Sequence, residues 1–480
     1  MSRLQRYLAF VVVVILSGLG GADAASAPFA LRHSLFDPGT NPPANGWFGA
    51  SVKMSGDLLA VSQIWDGLPP TNSGVVRIYS ASAGTLLHTI TNPSPREWGL
   101  FGGNMDLSGS RLIASGAGDH TNNPPSGIIH VFDLAGPSPA VPVLTLTNPV
   151  PGPDGIFGRV VAISGSRIVA GADWSEGEAY SSGIAYVFDL NSPTPTVPSL
   201  ILNNPTPEPA EYFGLTVAIS GERVAVGGYN CERDFPSSGA IYVYDLAGET
   251  PGTPVTEISH RDLDLPISFG FNTKLDGHLL AVSGSALNQC QFIYDLTVHI
   301  FDLSGATPQS PVAVLKDLHP CGGYAGAHSI ALGGSRVAIG IVPYNNGNIG
   351  ADFVHVFDVD RGSPSASIVL TNPTPVVEGT FGAALAINGT TLIVGNLRDD
   401  TRATDSGAAY IYTVAPALRS AVAAPDAMTL SWTPTNAPGY VLQWCDDLLS
   451  TNWSNAPSGA TNPVTVPTTN SARFYRLALP

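Results

Sequence analysis

The side chains able to do chemistry in this 480-residue chain are carboxylates and tryptophans set between short apolar runs. Asp66, Glu97, Asp119, Asp154, Asp173, Glu176, Glu178, Glu211, Glu232, Asp234, Glu378, Asp399, Asp400 and Asp405 all fall in such segments. On one set of loops they would make an acidic recognition face; as close pairs they could serve glycoside chemistry. The bland alternative is charge collecting where a weakly charged chain meets water. Trp65, Trp98 and Trp174 lie in the same segments and are candidate ligand contacts. A loop tryptophan stacks on a sugar ring or packs its own loop. His130, His299 and His355 carry metal-binding side chains, but they hold one equivalent place in three copies of a repeat. Tyr186, Tyr242, Tyr410 and Arg77 stand there in the other copies, so packing is their expected role. No nucleophile elbow, zinc-helix motif or phosphate loop is present, and no catalytic residue or bound cofactor is assigned.

The repeat positions these side chains. Phe-Gly is followed by an apolar run and a second Gly eight residues after the Phe, as in Phe157-Gly158…Ala162-Ile163-Ser164-Gly165. Copies start at Phe48, Phe101, Phe157, Phe213, Phe269 and Phe381, and a degenerate one at Gly326, in steps of 53, 56, 56, 56, 57 and 55 residues. A period that regular means one repeated supersecondary unit. Each copy reads as four strands: Val160 to Ser164, Arg167 to Ala170, Ile184 to Phe188 and Leu200 to Leu202 in the third. Gly165 and Ser166 turn the chain after the first strand. Val, Ile and Ala at nearly every position of the first two strands mean burial on both faces. The expected fold is all-β, a seven-bladed β-propeller of four-stranded antiparallel blades spanning residues 25–416. The last copy ends at Pro416 without a fourth strand, and Ala30 to Phe36 is an orphan last strand that would close the ring. Arg111, Arg167, Arg223 and Arg336, two residues after the second Gly, should pair with a neighbouring strand or turn. The degenerate copy, with Cys321 and Tyr324 near the missing Phe, is where the ring should depart most from its own pattern.

Residues 1–24 read as a signal peptide: Arg3 and Arg6, an apolar run from Leu8 to Leu19, then Ala22-Asp23-Ala24 with cleavage after Ala24. The run is too short to span a bilayer, which needs about 20 residues. A secreted or cell-surface location follows, with no transmembrane segment after cleavage. The formal charge of −16 argues against a nucleic-acid partner. Four cysteines in an exported chain allow three complete pairings. Cys290 with Cys321 is the first choice, Cys231 with Cys290 the alternative; four buried thiols would be the reading without a bridge. Residues 417–480 lack the period and read as a small separate β module. Its strands are Thr429 to Trp432, Tyr440 to Trp444, Val464 to Val466 and Phe474 to Leu479, after a linker from Pro416 to Ser420.

These Phe-Gly units, each with a third strand opening Ser-Gly and ending aromatic-Asp, resemble FG-GAP repeats, as in the integrin alpha-chain propeller. Leu430-Ser431-Trp432, Tyr440-Val441-Leu442-Gln443 and Phe474-Tyr475-Arg476-Leu477 resemble a fibronectin-III or immunoglobulin-like sandwich. The first resemblance implies calcium loops of Asp-x-Asp/Asn-x-Asp-Gly type. None of the equivalent loops carries three oxygen-bearing side chains at alternate positions before a Gly. Asp399-Asp400 with Asp405 comes closest, so these three are the metal candidates. The expected function is exported, non-catalytic binding or adhesion, in which variable propeller loops take a protein or glycan ligand. The alternatives are a glycan hydrolase or lyase with carboxylates near the axis, and a structural module of a surface assembly. The sequence leaves oligomeric state open.

Overall fold

Glycine sets the corners of every blade. In the third, Ser164 pairs with Arg167, leaving Gly165-Ser166 as a two-residue hairpin loop. Gly165 has φ +59°, and its equivalents Gly56, Gly109, Gly221, Gly277, Gly334 and Gly389 lie between +56° and +60°. A left-handed residue first in a two-residue loop suits the right-handed twist of the flanking strands, and glycine adopts it without strain.

The computed structural model describes residues 29–66, 72–95, 97, 99–116, 127–150, 157–175, 181–207, 211–229, 239–259, 269–287, 294–315, 324–344, 353–359, 368–376, 379–414, 417–424, 427–433, 441–445, 453–456, 462–467 and 474–478. Every regular element among them is a strand. No helix among the described residues is long and apolar enough to cross a membrane.

Seven four-stranded sheets follow in chain order. The third blade has Val160–Ser164, Arg167–Ala172, Ile184–Asp189 and Leu200–Asn203, hydrogen-bonded in that order and antiparallel throughout. In the seventh, Phe381–Asn388, Thr391–Asn396 and Ala408–Val414 supply three strands, and Phe29–Phe36 from the N-terminal end supplies the outermost. The expected ring closure is therefore present. Closure removes the open sheet edges through which strands aggregate. In the degenerate sixth copy the first two strands, Tyr324–Gly333 and Arg336–Tyr344, run to 10 and 9 residues with a bulge between Ala327 and Ser329, and blades 1 and 7 have a bulge in the same strand pair.

The core lies in the seams between blades. Ile113, Ile129, Val131 and Leu146 of blade 2 pack with Phe157, Ile168, Ala170, Tyr186 and Phe188 of blade 3. On the other face of blade 3, Ala162, Val169, Ala185, Val187 and Leu202 pack with Phe213, Val224, Val226, Tyr242 and Tyr244 of blade 4. Successive strand residues point to opposite faces, and both faces meet a neighbour. That is why the polar/apolar alternation of a half-exposed sheet is missing. The His places are packing places, as expected: His130 is buried, edge-on to Phe101 at 6.2 Å and 3.0 Å from Thr145 Oγ1.

Backbone contacts repeat along the seams. Phe213 N–H donates to the Ser182 carbonyl at 3.0 Å, and Gly183 lies so near that a Cβ there would sit 2.0 Å from the Phe213 carbonyl oxygen. Ser55, Ser108, Ser164 and Ser220 Oγ each accept the N–H of the next blade's hairpin glycine at 2.9–3.0 Å. The recurrent arginines act here too. Arg111 and Arg336 donate to the carbonyls of Gly165 and Gly389 in the following blade, and Arg167 pairs with Asp189 and Glu222.

Residues Leu31–Tyr412 form one compact unit and Thr413–Pro480 belong to a second. The second holds two three-stranded sheets around Leu430, Trp432, Leu442, Ala456, Val466 and Tyr475. The expected linker from Pro416 to Ser420 is corrected: Ala417–Ala424 is a strand, paired with Ala427–Thr433. Leu418, Ser420 and Val422 stand opposite Trp432, Leu430 and Met428. Its Ala- and Ser-rich sequence carries little strand signal of its own.

Candidate functional site

The first strand of every blade runs along the axis, and together the seven line a cavity of about 160 Å³. The fifth residue after each repeat's Phe faces it. Blades 3, 4, 6 and 7 have Ala162, Ala218, Ala331 and Ala386 there. Blade 1 has Lys53, blade 2 Asp106 and blade 5 Lys274. Alanine suits a crowded axis, so three charged side chains at this level are departures from the repeat's own rule. They were missed from the sequence, although stacking the copies on their Phe residues exposes them at once.

The three charges are unequally placed. Lys53 Nζ stands 3.5 Å from Asp106 Oδ1, and Asp106 Oδ2 accepts the Ile163 N–H of the next blade at 2.9 Å. Lys274 has no hydrogen bond or ion pair among the described residues. The positive charge of Lys53, helped by burial and opposed by Asp106, pulls the Lys274 ammonium down to a pKa of about 7. The cavity thus joins two amines and one carboxylate to apolar walls.

The loops hold the residues expected from sequence. Trp65 is half-buried and stacked on Trp47, ring centroids 4.1 Å apart, so it packs on the segment that leads into the first blade. Trp174 is 41% exposed and leans on Tyr212 of the next blade at 5.7 Å. Trp98 lies outside the described residues, as do Cys231, Cys290 and Cys321 and with them both proposed disulfides. Cys445 is a buried free thiol.

The described carboxylates make a thinner acidic face than the sequence suggests, because Asp66, Asp173, Glu211 and Asp399 are buried. Burial pushes Asp173 up to a pKa of about 6 against the pull of Arg159, whose Nη1 lies 3.0 Å away. Burial likewise raises Glu211 to about 7, although Asn204 Nδ2 donates to it at 2.5 Å. These two residues immediately precede Trp174 and Tyr212. Asp399 is fully buried and accepts hydrogen bonds from Tyr410 Oη, Asn396 Nδ2, Thr401 N and Thr374 Oγ1. Asp400 Oδ1 accepts the Asp405 N–H at 2.8 Å. Calcium needs six to eight oxygens around one point. With Asp399 committed inward, this set does not fit the ion, and no group of three His, Cys, Asp or Glu able to hold a metal occurs among the described residues.

Residues 151–188, 207–244 and 378–412, which fall in blades 3, 4 and 7, match the FG-GAP repeat family. The chain carries FG-GAP repeats. Similar solved structures include the β-propeller domain of the Trilobed protease from Pyrococcus furiosus, 10% identical over 78% of this chain and 91% of that one, with a TM-score of 0.44. The acylaminoacyl peptidase of Pyrococcus horikoshii is 11% identical over 81% of this chain and 58% of its own, with a TM-score of 0.46. The phage phi92 endosialidase is 10% identical over 83% and 71%, with a TM-score of 0.42. At such identities no activity carries across to the FG-GAP chain. No curated protein matches it.

Proposed function

We propose that this FG-GAP propeller is an exported, non-catalytic binding protein that takes a glycan on its variable loops. The observation behind this reading is the exposed Trp174 ring, set against Tyr212 where two blades meet. An aromatic face left open to water, on a loop that differs from copy to copy, suits the apolar face of a sugar ring. The signal-peptide pattern of residues 1–24 supports export to the cell surface or beyond, where adhesion through glycans is chemically reasonable. The C-terminal sandwich, with its resemblance to fibronectin-III or immunoglobulin-like modules, would then act as a spacer or docking module.

A second reading has one observation in its favour: Asp173 and Glu211, both with raised pKa values, adjoin the same aromatic pair. Raised carboxyls are what a glycan hydrolase uses as its acid. Their burial under internal partners weighs toward a structural role. A glycan array probed with the intact protein tests both readings. Binding is expected without release of reducing ends, at least tenfold weaker in Trp174→Ala. Equal binding by that variant sinks the platform, and reducing ends released by wild type but not by Glu211→Gln would establish the hydrolase.

A further inference from the structure

The axial cavity carries one more cation than anion, in a protein whose formal charge is −16. Asp106 is in direct contact with Lys53 and with the Ile163 N–H, which leaves Lys274 its attraction at a distance but no ion pair of its own among the described residues. At the level of Lys274 the remaining blades offer only alanine. Lys274 is partly buried and has no side-chain partner among the described residues, so an oxyanion entering the cavity would meet an ammonium free to pair. Four blades show that alanine serves the packing there, so packing does not require the lysine. We propose that the cavity binds a small oxyanion, a carboxylate or phosphate group, held between Lys274 and Lys53 with Asp106 positioning Lys53.

Size limits the ligand. A cavity of about 160 Å³ compares with the roughly 150 Å³ engineered cavity that accepts benzene. Inorganic phosphate or a short-chain acid fits that volume, and the lining comes from the first strands, not from the loop that carries Trp174. The site is therefore distinct from the loop face and stands whether or not that face binds glycans. The lowered pKa of Lys274 reflects repulsion from Lys53, and an oxyanion between the two ammonium groups would offset that repulsion. Lys53 and Asp106 are the other titratable groups among the described lining residues.

The test is titration calorimetry on the intact protein at pH 7, in a phosphate-free and carboxylate-free buffer with chloride holding ionic strength constant. Inorganic phosphate and butyrate are the two probes. Saturable binding of either to wild type, at least tenfold weaker in Lys274→Ala, is the expected result. Phosphate alone would assign a phosphate ligand, butyrate alone a carboxylate, and both the shared oxyanion chemistry. Lys274→Ala restores the residue of four other blades and should melt at or above the wild-type temperature; Lys274→Gln is the second uncharged variant. No binding of either anion to folded wild type overturns the site, as does equal binding by both variants. Trp174→Ala should keep the anion and lose the glycan, which separates the two proposals.

Discussion

At the scale of single residues, burial has turned two carboxylates, Asp173 and Glu211, from surface charges into pH-dependent supports. Glu211 is the clearer case. Its pKa is raised from 4.5 to about 7, chiefly because burial disfavours the charged form. A carboxyl whose folded pKa lies above its unfolded one stabilises fully below the unfolded value, and that contribution fades as pH rises through the folded value. Stability should therefore fall between pH 4.5 and 8, with Asp173 adding in the same direction up to about pH 6. Glu211→Gln keeps a neutral acceptor for Asn204 and should flatten the decline, gaining on the order of 1–3 kcal/mol at pH 8 relative to pH 5. Thermal melts across that range decide it, and identical slopes in variant and wild type would show that Glu211 titrates normally. Lys274 has the opposite sign. A lysine held below its ordinary pKa penalises the fold most below pH 7, and the penalty lifts as pH climbs toward 10.5.

At the scale of the element, the hairpin glycine and the Ser-Gly glycine before the third strand do different work. Gly183, at φ +81°, is walled in by the Phe213 backbone, which has no flexible end to give way. Gly165, at φ +59°, stands in the open: a Cβ added there would meet nothing within 4 Å. Gly183→Ala should therefore cost about 3 kcal/mol or more by opening a seam, whereas Gly165→Ala should cost only about 1–2 kcal/mol for the left-handed backbone. Denaturant melts of the two variants measure the difference, and equal costs would refute the seam argument. This contrast also shows what was legible in the sequence. The period gave blade count, strand order and closure, because every copy repeats the same turn and packing residues. Trp174 was visible as a loop aromatic. The axial set was not, since Lys53, Asp106 and Lys274 are 53 and 168 residues apart in the chain and meet only once the ring is closed. Burial of Glu211 and Asp399 was hidden for a related reason: a loop carboxylate looks solvated until the donors that fold over it, such as Asn204 and Tyr410, are placed.

At the scale of the whole molecule, everything depends on one seam that joins residues far apart in sequence. Phe29–Phe36 completes blade 7, and the chain then crosses directly to blade 1. Arg77 replaces the aromatic found at its place in other blades because it has two tasks there. Its guanidinium lies over the Phe48 ring at 5.8 Å and reaches Asp37, just beyond the closing strand, at 3.2 Å. Asn45 and Phe48 N–H donate to the carbonyls of Thr404 and Ser406 at 2.8 and 2.9 Å, fastening blade 1 to blade 7. Removing residues 29–36 exposes an inner strand edge and strands Arg77 in the seam. That truncation should give aggregated or protease-sensitive protein, read by size-exclusion chromatography and limited proteolysis. Arg77→Met probes the same seam more gently: it leaves the chain able to pair but abandons the buried Asp37, at a cost of about 3–5 kcal/mol. A truncated chain that stays monomeric and melts cooperatively would mean that six complete blades hold the ring without the closing strand. The axial cavity would then be independent of closure, and the truncation should still bind the anion.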